Sequence, residues 1–297
     1  MIIAISTNNT GRKSETPGRS QNSAYVKYVD NAGFTPILVP MEANTEDIVN
    51  ISDGLLMPGG IDIDPIYYGY SNQASFAVDP DKDAHERELF HAFRSEGKPI
   101  FGICRGFQLI AREFIHAEWK QYGNWFDYIE NIGHHSQTGN LNLRRDIPSH
   151  QVRCKKQVLY GEGGKGMTLI PVNSMHHQCL SFNYVRHVLD TNYPEKPTQK
   201  ELINLASGEP KTTMVGKHVE VLAWSMRGVS QPGTATKPDY ENYWSIVEAF
   251  KLHNWGAPIM GVQWHPEELM DVRIIRNFFD GEQEVLGKQG SVGTGVK

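Results

Sequence analysis

The short apolar run Pro99-Ile100-Phe101-Gly102-Ile103 ends on Cys104 and passes at once into a helical pattern from Phe107 to Phe114. A strand that gives way so abruptly to a helix is the repeating junction of α/β folds, in which helices cover a parallel sheet. The neighbouring segments follow the same alternation. Ile2 to Ser6, Pro36 to Pro40 and Gly54 to Met57 are short buried-strand patterns. Between them, Tyr25, Val26, Val29 and Ala32 recur at helical spacing with Gly33 as the stop, Glu46 to Ile51 forms a brief helix, and His85 to Glu96 a longer one. Ile259 to Trp264 is a last strand, and Leu269 to Phe279 a closing helix. The chain is therefore expected to form an open, mostly parallel central sheet with helices on both faces.

The remainder is less regular. Asn8 to Asn22 reads as a loop, Gly123 to His150 lacks periodicity, and Tyr160 to Gly166 is rich in glycine. Val219 to Trp224 alternates like a strand, while Thr191 to Lys217 and Gln231 to Asp239 read as surface loops. The 297 residues are expected to form one α/β domain over residues 1–281, with a mobile tail over 282–297.

The formal charge of −5 is spread along the chain without a basic block or an acidic tail, which argues against nucleic acid as a partner. No run approaches the 18 or so apolar residues that a membrane span needs. The apolar start, Met1 to Ser6, is short and lacks a basic flank, so it reads as a first strand rather than a leader. Three cysteines, Cys104, Cys154 and Cys179, make an odd set without CxxC spacing. That pattern suggests neither a disulfide framework nor structural zinc, and the expected location is cytoplasmic. Nothing points to a cofactor or a metal, and homo-oligomer formation is left open.

Three segments carry chemistry. Gly102-Ile103-Cys104-Arg105-Gly106, between strand and helix, is the thiol version of a nucleophile elbow. The turn would hold the Cys104 sulfur at the carboxyl end of a strand, facing the positive end of the following helix, which favours thiolate. On the pentamer alone, a cysteine merely buried in a tight turn explains it equally well. Gly261-Val262-Gln263-Trp264-His265-Pro266-Glu267 places a histidine at the end of another apolar strand, with a glutamate two positions on to orient its ring. Attack on an amide also needs backbone N–H groups to meet the oxyanion. The Arg105 amide is one candidate donor, and Pro58-Gly59-Gly60, read as a turn whose backbone only glycines take without strain, offers Gly60 in preference to Gly59.

These segments, Leu55 to Asp62, Gly102 to Gln108 and Gly261 to Glu267, together resemble the class I glutamine amidotransferase superfamily, whose fold is flavodoxin-like. Asp64-Pro65, Tyr67-Tyr68-Gly69, Asp83 and Glu86 extend the likeness. Val172-Asn173-Ser174-Met175-His176-His177-Gln178 is similar to a segment of the γ-glutamyl-γ-aminobutyrate hydrolases. The resemblance implies a hydrolase acting on a small γ-glutamyl amine or peptide through a thioester on Cys104, with His265 as base and Glu267 as its orienting acid. It further implies substrate contacts at Gln108, His176 and Gly59. An alternative reading is a glutaminase subunit that supplies ammonia to a separate synthetase; a third is a catalytically silent binding protein. The chain departs from the family at His116 to Tyr122, and by an extra loop between Val229 and Ile246. Both changes are expected to remodel the rim of the pocket on the amine side.

Overall fold

The structure, a computed structural model, describes residues 1–10, 18–69, 71, 72, 75, 77–118, 126–129, 143–164, 166–182, 214, 215, 218–226 and 245–290. Of the loop read over 191–217, Met214–Val215 form a short strand instead; its other residues, the loop over 231–239 and the departures at 119–122 and 227–244 lie outside the described residues.

The elements run in chain order as β1 (Ile2–Ser6), β2 (Asn8–Thr10), β3 (Gly18–Ser20), α1 (Ser23–Asn31), β4 (Thr35–Val39), α2 (Thr45–Ile51) and β5 (Gly54–Met57). A short 3-10 helix (Pro65–Tyr68) precedes α3 (Pro80–Ser95), β6 (Ile100–Ile103), α4 (Arg105–Ala117), β7 (Phe126–Ile129), β8 (His150–Cys154) and α5 (Lys156–Tyr160). Then follow β9 (Thr168–Val172), β10 (Cys179–Phe182), β11 (Met214–Val215), β12 (Val219–Met226), β13 (Ser245–Leu252), β14 (Ile259–Val262) and α6 (Arg273–Gly290).

The heart of the sheet is parallel, in the order β4-β1-β5-β6-β14. Its inner strands β5, β6 and β14 are buried at every residue, as continuous apolar runs flanked by helices on both sides should be. Leu55 and Met57 point to the face covered by Leu89, Phe90 and Phe93 of α3 and Phe107, Ile110 and Phe114 of α4. Leu56, one residue out of phase, points to the face covered by Tyr25 and Tyr28 of α1 and Ile274, Phe278 and Phe279 of α6. This two-residue alternation gives the sheet a helix layer on each side. Beyond β14 the sheet continues antiparallel through β13, β12, β8 and β9, with β10 and β7 branching from β13.

The strands named from sequence in the parallel region lie within a residue or two of the observed ones. The helices are longer than expected. Asp79 caps α3 by accepting the Lys82 N–H at 3.2 Å, with Pro80 in its first turn, so α3 starts well before His85. At the far end, α6 begins only at Arg273 and runs to Gly290, past the Phe279 limit read from the sequence. The Asn8 to Asn22 loop is in part the hairpin β2–β3.

In the parallel register Met57 pairs with Gly102, and Ile103 with Val262. The carboxyl ends of β5, β6 and β14 are therefore adjacent. The next residues on each are Gly59-Gly60, Cys104 and, past a two-residue extension, His265.

Candidate active site

Cys104 sits at φ 50°, ψ −101°, a left-handed backbone conformation that for a side chain with a Cβ costs about 1–3 kcal/mol. The fold holds it there from both sides. Its N–H donates to Val262 O (2.9 Å), and α4 begins at the following residue. A methyl group on Gly106 would overlap the Met57 carbonyl, and one on Gly102 would come within 2.6 Å of Ile110 Cδ1. The two glycines that flank the cysteine thus let helix and strand touch backbone to backbone. Cys104 is 7 % exposed and is the N-cap of α4, with no side-chain capping hydrogen bond.

His265 is 3 % exposed, and its Nδ1 lies 2.6 Å from Glu267 Oε1. With Nδ1–H committed to the carboxylate, Nε2 is the remaining ring nitrogen; it has no close partner by distance among the described residues, though a hydrogen-bond interaction with Cys104 helps to raise the ring's pKa. A methyl group built on Gly59 would lie 2.8 Å from His265 Cε1 and 3.5 Å from Cys104 Cβ. The ring and the thiol side chain therefore crowd the same small space beside Gly59. Burial opposes a charge on the imidazole, but the Glu267 carboxylate and the Cys104 sulfur outweigh it and bring the His265 pKa up to about 10.

Tyr25 was read from sequence only as one position of a helical core stripe. Its Oη accepts the Gly59 N–H at 2.9 Å and lies 3.4 Å from His265 Nδ1. It thereby ties the glycine turn to the histidine–glutamate pair. Burial, then the negative charges of Glu267 and Cys104, hold its phenol well above the ordinary range, so it stays neutral. Helical spacing alone gave no sign of this second task.

The glycine turn differs from the sequence reading in its cause. Neither Gly59 nor Gly60 has a positive φ. What excludes a side chain is space: a Cβ on Gly59 would meet Tyr25 Oη at 2.6 Å as well as the imidazole. One on Gly60 would meet Asn8 Oδ1 at 3.0 Å and Arg105 Cδ at 3.4 Å. Gly60 and Arg105 are thus neighbours. The Arg105 guanidinium is 1 % exposed and ion-paired with Asp83 and Glu86, so it turns into the protein.

Those pairs belong to a buried quartet of Lys82, Asp83, Glu86 and Arg105, two cations and two carboxylates. Lys82 pairs with Glu86 and also donates to Thr7 O (3.2 Å), Ser6 Oγ donates to Glu86 Oε1 (2.6 Å), and Asp83 Oδ2 accepts the Asp64 N–H (3.1 Å). Burial drives the Lys82 pKa down and that of Asp83 up, as expected where charge has little water around it.

The remaining predicted residues line up around this centre. Gln108 Nε2, one turn into α4, donates to Gln178 O (3.0 Å) and Gln263 Oε1 (3.2 Å). His176 Nδ1 reaches the same Gln178 carbonyl at 2.8 Å, and His177 Nε2 lies 2.9 Å from Asp62 Oδ2. The 173–178 segment is thereby fastened both to the helix after Cys104 and to the glycine turn. Cys154 and Cys179 are fully buried elsewhere, and burial pushes the Cys154 thiol up to about 11. Among the described residues, no three His, Cys, Asp or Glu side chains converge as metal ligands, and no helix is long and apolar enough to cross a membrane.

Similar proteins are known both by sequence and by fold. A family profile described as peptidase C26 matches residues 1–187 and 181–267. A glutamine amidotransferase-like protein of Rickettsia prowazekii, RP404, is 26% identical over 252 residues, 83% of this chain and 82% of its own. The γ-glutamyl-γ-aminobutyrate hydrolase PuuD of Escherichia coli K12 is 27% identical over 166 residues, 52% of this chain and 61% of its own. The glutamine amidotransferase-like protein YvdE of Lactococcus lactis is 27% identical over 161 residues, 53% of this chain and 64% of its own. The chain thus spans less than two thirds of PuuD and of YvdE. A crystal structure from Thermoplasma acidophilum, provisionally assigned as part of a GMP synthase, shares the fold with a TM-score of 0.51 at 15% identity, over 97% of this chain and 98% of that one. The chain belongs to the peptidase C26 family.

Proposed function

We propose that the protein hydrolyses the γ-glutamyl amide bond of a small γ-glutamyl amine or peptide, using Cys104 as nucleophile, His265 as acid and base, and Glu267 to hold the imidazole. The observation that carries this reading is a strained cysteine at a helix N-terminus, crowded against a buried histidine whose far nitrogen is bound to a carboxylate. As Sγ becomes the nucleophile its proton passes to His265, whose pKa near 10 favours the imidazolium. Sγ attacks the γ-carbonyl, and the oxyanion forms against the backbone N–H groups of Arg105 and Gly60. The Gly59 N–H is already taken by Tyr25, which favours Gly60 as the turn's donor. As the C–N bond breaks, His265 Nε2–H gives its proton to the amine and leaves a thioester. Cys104 then carries no charge, so the imidazole loses that support for its proton and acts as base toward water. Attack of that water releases glutamate, and the proton returns to the Cys104–His265 pair. Gln108, His176 and Gly59 border the space for the glutamyl group.

The test is incubation of the purified protein with glutamine and with a panel of γ-glutamyl amines and peptides, following glutamate and ammonia. Turnover of the γ-glutamyl amines with little glutaminase activity is expected. Activity on glutamine alone, or activity that appears only when a synthetase is added, would replace this reading with that of an ammonia donor.

A further inference from the structure

His265 presents a structural problem that its own strand does not solve. Strand β14 ends at Val262, and the last ladder contact on its β13 side is Gln263 N–H to Glu248 O at 2.7 Å. On its other side β6 has already turned into α4 at Cys104. The peptide groups of His265 lie two residues further on, buried, with no strand to pair with. Buried backbone N–H and C=O groups are nearly always hydrogen-bonded, so something else must take them.

Asn173 takes both. It follows β9, which the sheet order separates from β14 by β13, β12 and β8. Its side chain nevertheless reaches the His265 backbone. Asn173 Oδ1 accepts the His265 N–H at 3.0 Å, and Nδ2 donates to His265 O at 2.9 Å. The second hydrogen on Nδ2 goes to Arg145 O at 2.8 Å. Asn173 is fully buried, and the only other backbone contact of the His265 carbonyl among the described residues is a 3.3 Å approach of Glu268 N–H within the same turn. One side-chain amide thus imitates the two hydrogen bonds that a facing strand residue would exchange. An amide alone has an acceptor and two donors in this arrangement; a carboxylate has no donor and would face two carbonyls.

Compared with this, the other restraints on His265 are local or one-sided. Glu267 is two residues away and moves with the same turn, Gly59 limits the ring from one side only, and Tyr25 Oη approaches Nδ1 only to 3.4 Å. We infer that Asn173 is the positioning residue for His265: by holding both of its peptide groups it sets the approach of the imidazole to Cys104 and couples that approach to the chain at Arg145. The inference rests on the proposed roles of Cys104 and His265, and its test does not require the substrate to be known.

The experiment compares the pH dependence of Cys104 alkylation by iodoacetamide in wild type, Asn173→Ala and Asn173→Asp, alongside kcat and KM on any γ-glutamyl amide that the wild type turns over. An imidazolium beside the sulfur favours thiolate, so its displacement should move the onset of alkylation to higher pH in both variants. A ring displaced by about 1 Å should lower kcat by about 100-fold, with KM changed by less than about threefold. Asn173→Asp, nearly the same shape, should lose at least as much as Asn173→Ala. A purely structural Asn173 would instead lower the melting temperature while leaving the alkylation onset and kcat as in wild type, and that result overturns the inference. If Asn173→Ala does not fold, Asn173→Ser, whose hydroxyl leaves room for a bridging water, gives the same comparison. If the wild type hydrolyses no γ-glutamyl amide, the functional reading fails, and the alkylation profiles still decide the role of Asn173.

Discussion

Replacing Gly59 by alanine separates what the site needs from what the fold needs. Gly59 does not occupy a left-handed conformation, so alanine meets no backbone penalty there. Fewer unfolded conformations should even favour the variant by about 0.4–1 kcal/mol. The added methyl would stand 2.8 Å from His265 Cε1 and 2.6 Å from Tyr25 Oη. Against ordinary carbon–carbon separations of about 3.5–4.0 Å, the imidazole must retreat by about 1 Å. The methyl also lies 3.5 Å from Cys104 Cβ, an ordinary contact, so the strain falls on the imidazole and on Tyr25. A misplacement of that size costs about 100-fold in rate, or about 2.7 kcal/mol in transition-state free energy. Initial rates on the best γ-glutamyl amide should therefore fall by about two orders of magnitude. Thermal unfolding followed by circular dichroism should shift by only a few degrees. A Gly59→Ala enzyme that keeps turnover within about threefold of wild type would refute the reasoning.

Four further outcomes follow from the structure. Glu267→Gln removes the charge that most raises the His265 pKa from 6.5 to about 10; its imidazolium should be lost at lower pH, and the alkaline limb of the rate profile should fall by about one unit or more, an unchanged limb counting against the pair. A raised pKa also means that His265 adds stability fully below about pH 6.5 and loses it as pH rises through about 10, so the wild-type melting temperature should decline over that interval more than that of Glu267→Gln. Iodoacetamide at pH 8 should label Cys104 and spare Cys154, whose thiol is pushed up to about 11; Cys104→Ser should abolish both labelling and turnover with little change in melting, and equal labelling of Cys154 on peptide mapping would contradict the assignment. Lys82→Met unbalances the buried quartet and should lower stability by about 3 kcal/mol in urea unfolding, a variant as stable as wild type showing that the charge balance there is dispensable.

Most of what could be read in advance was local. Strands β5, β6 and β14 are continuous runs without a charged or amide side chain, so their existence was visible, although β14 stops at Val262, two residues short of the Trp264 read as its end. The cysteine between two glycines and the histidine two residues before a glutamate were visible for the same reason. The antiparallel half was harder. Strand β13 carries Glu248, which is fully buried within the strand, so its hydrophobic pattern is broken where the structure is not. The early start of α3 had a signal that the periodicity missed, an aspartate before a proline at 79–80. Tyr25 and Asn173 were beyond local reading altogether. One looks like any core position of a helix and the other like a polar residue after a strand. Their partners at Gly59 and His265 are distant in sequence, and only the fold brings them together.

The start of α4 has no side-chain cap, because the residue at that position is Cys104 itself. Serine, threonine or aspartate capping there would add about 1 kcal/mol to the helix, and the chain forgoes it. The first-turn amides are thereby kept available for the negative charge that the proposed reaction would place first on sulfur and then on the carbonyl oxygen. Glutamate, the product of the proposed reaction, would bring a carboxylate of its own to the same amides. Release of the acid should accordingly be the step most sensitive to added anions, and small carboxylates should compete with substrate at this helix end.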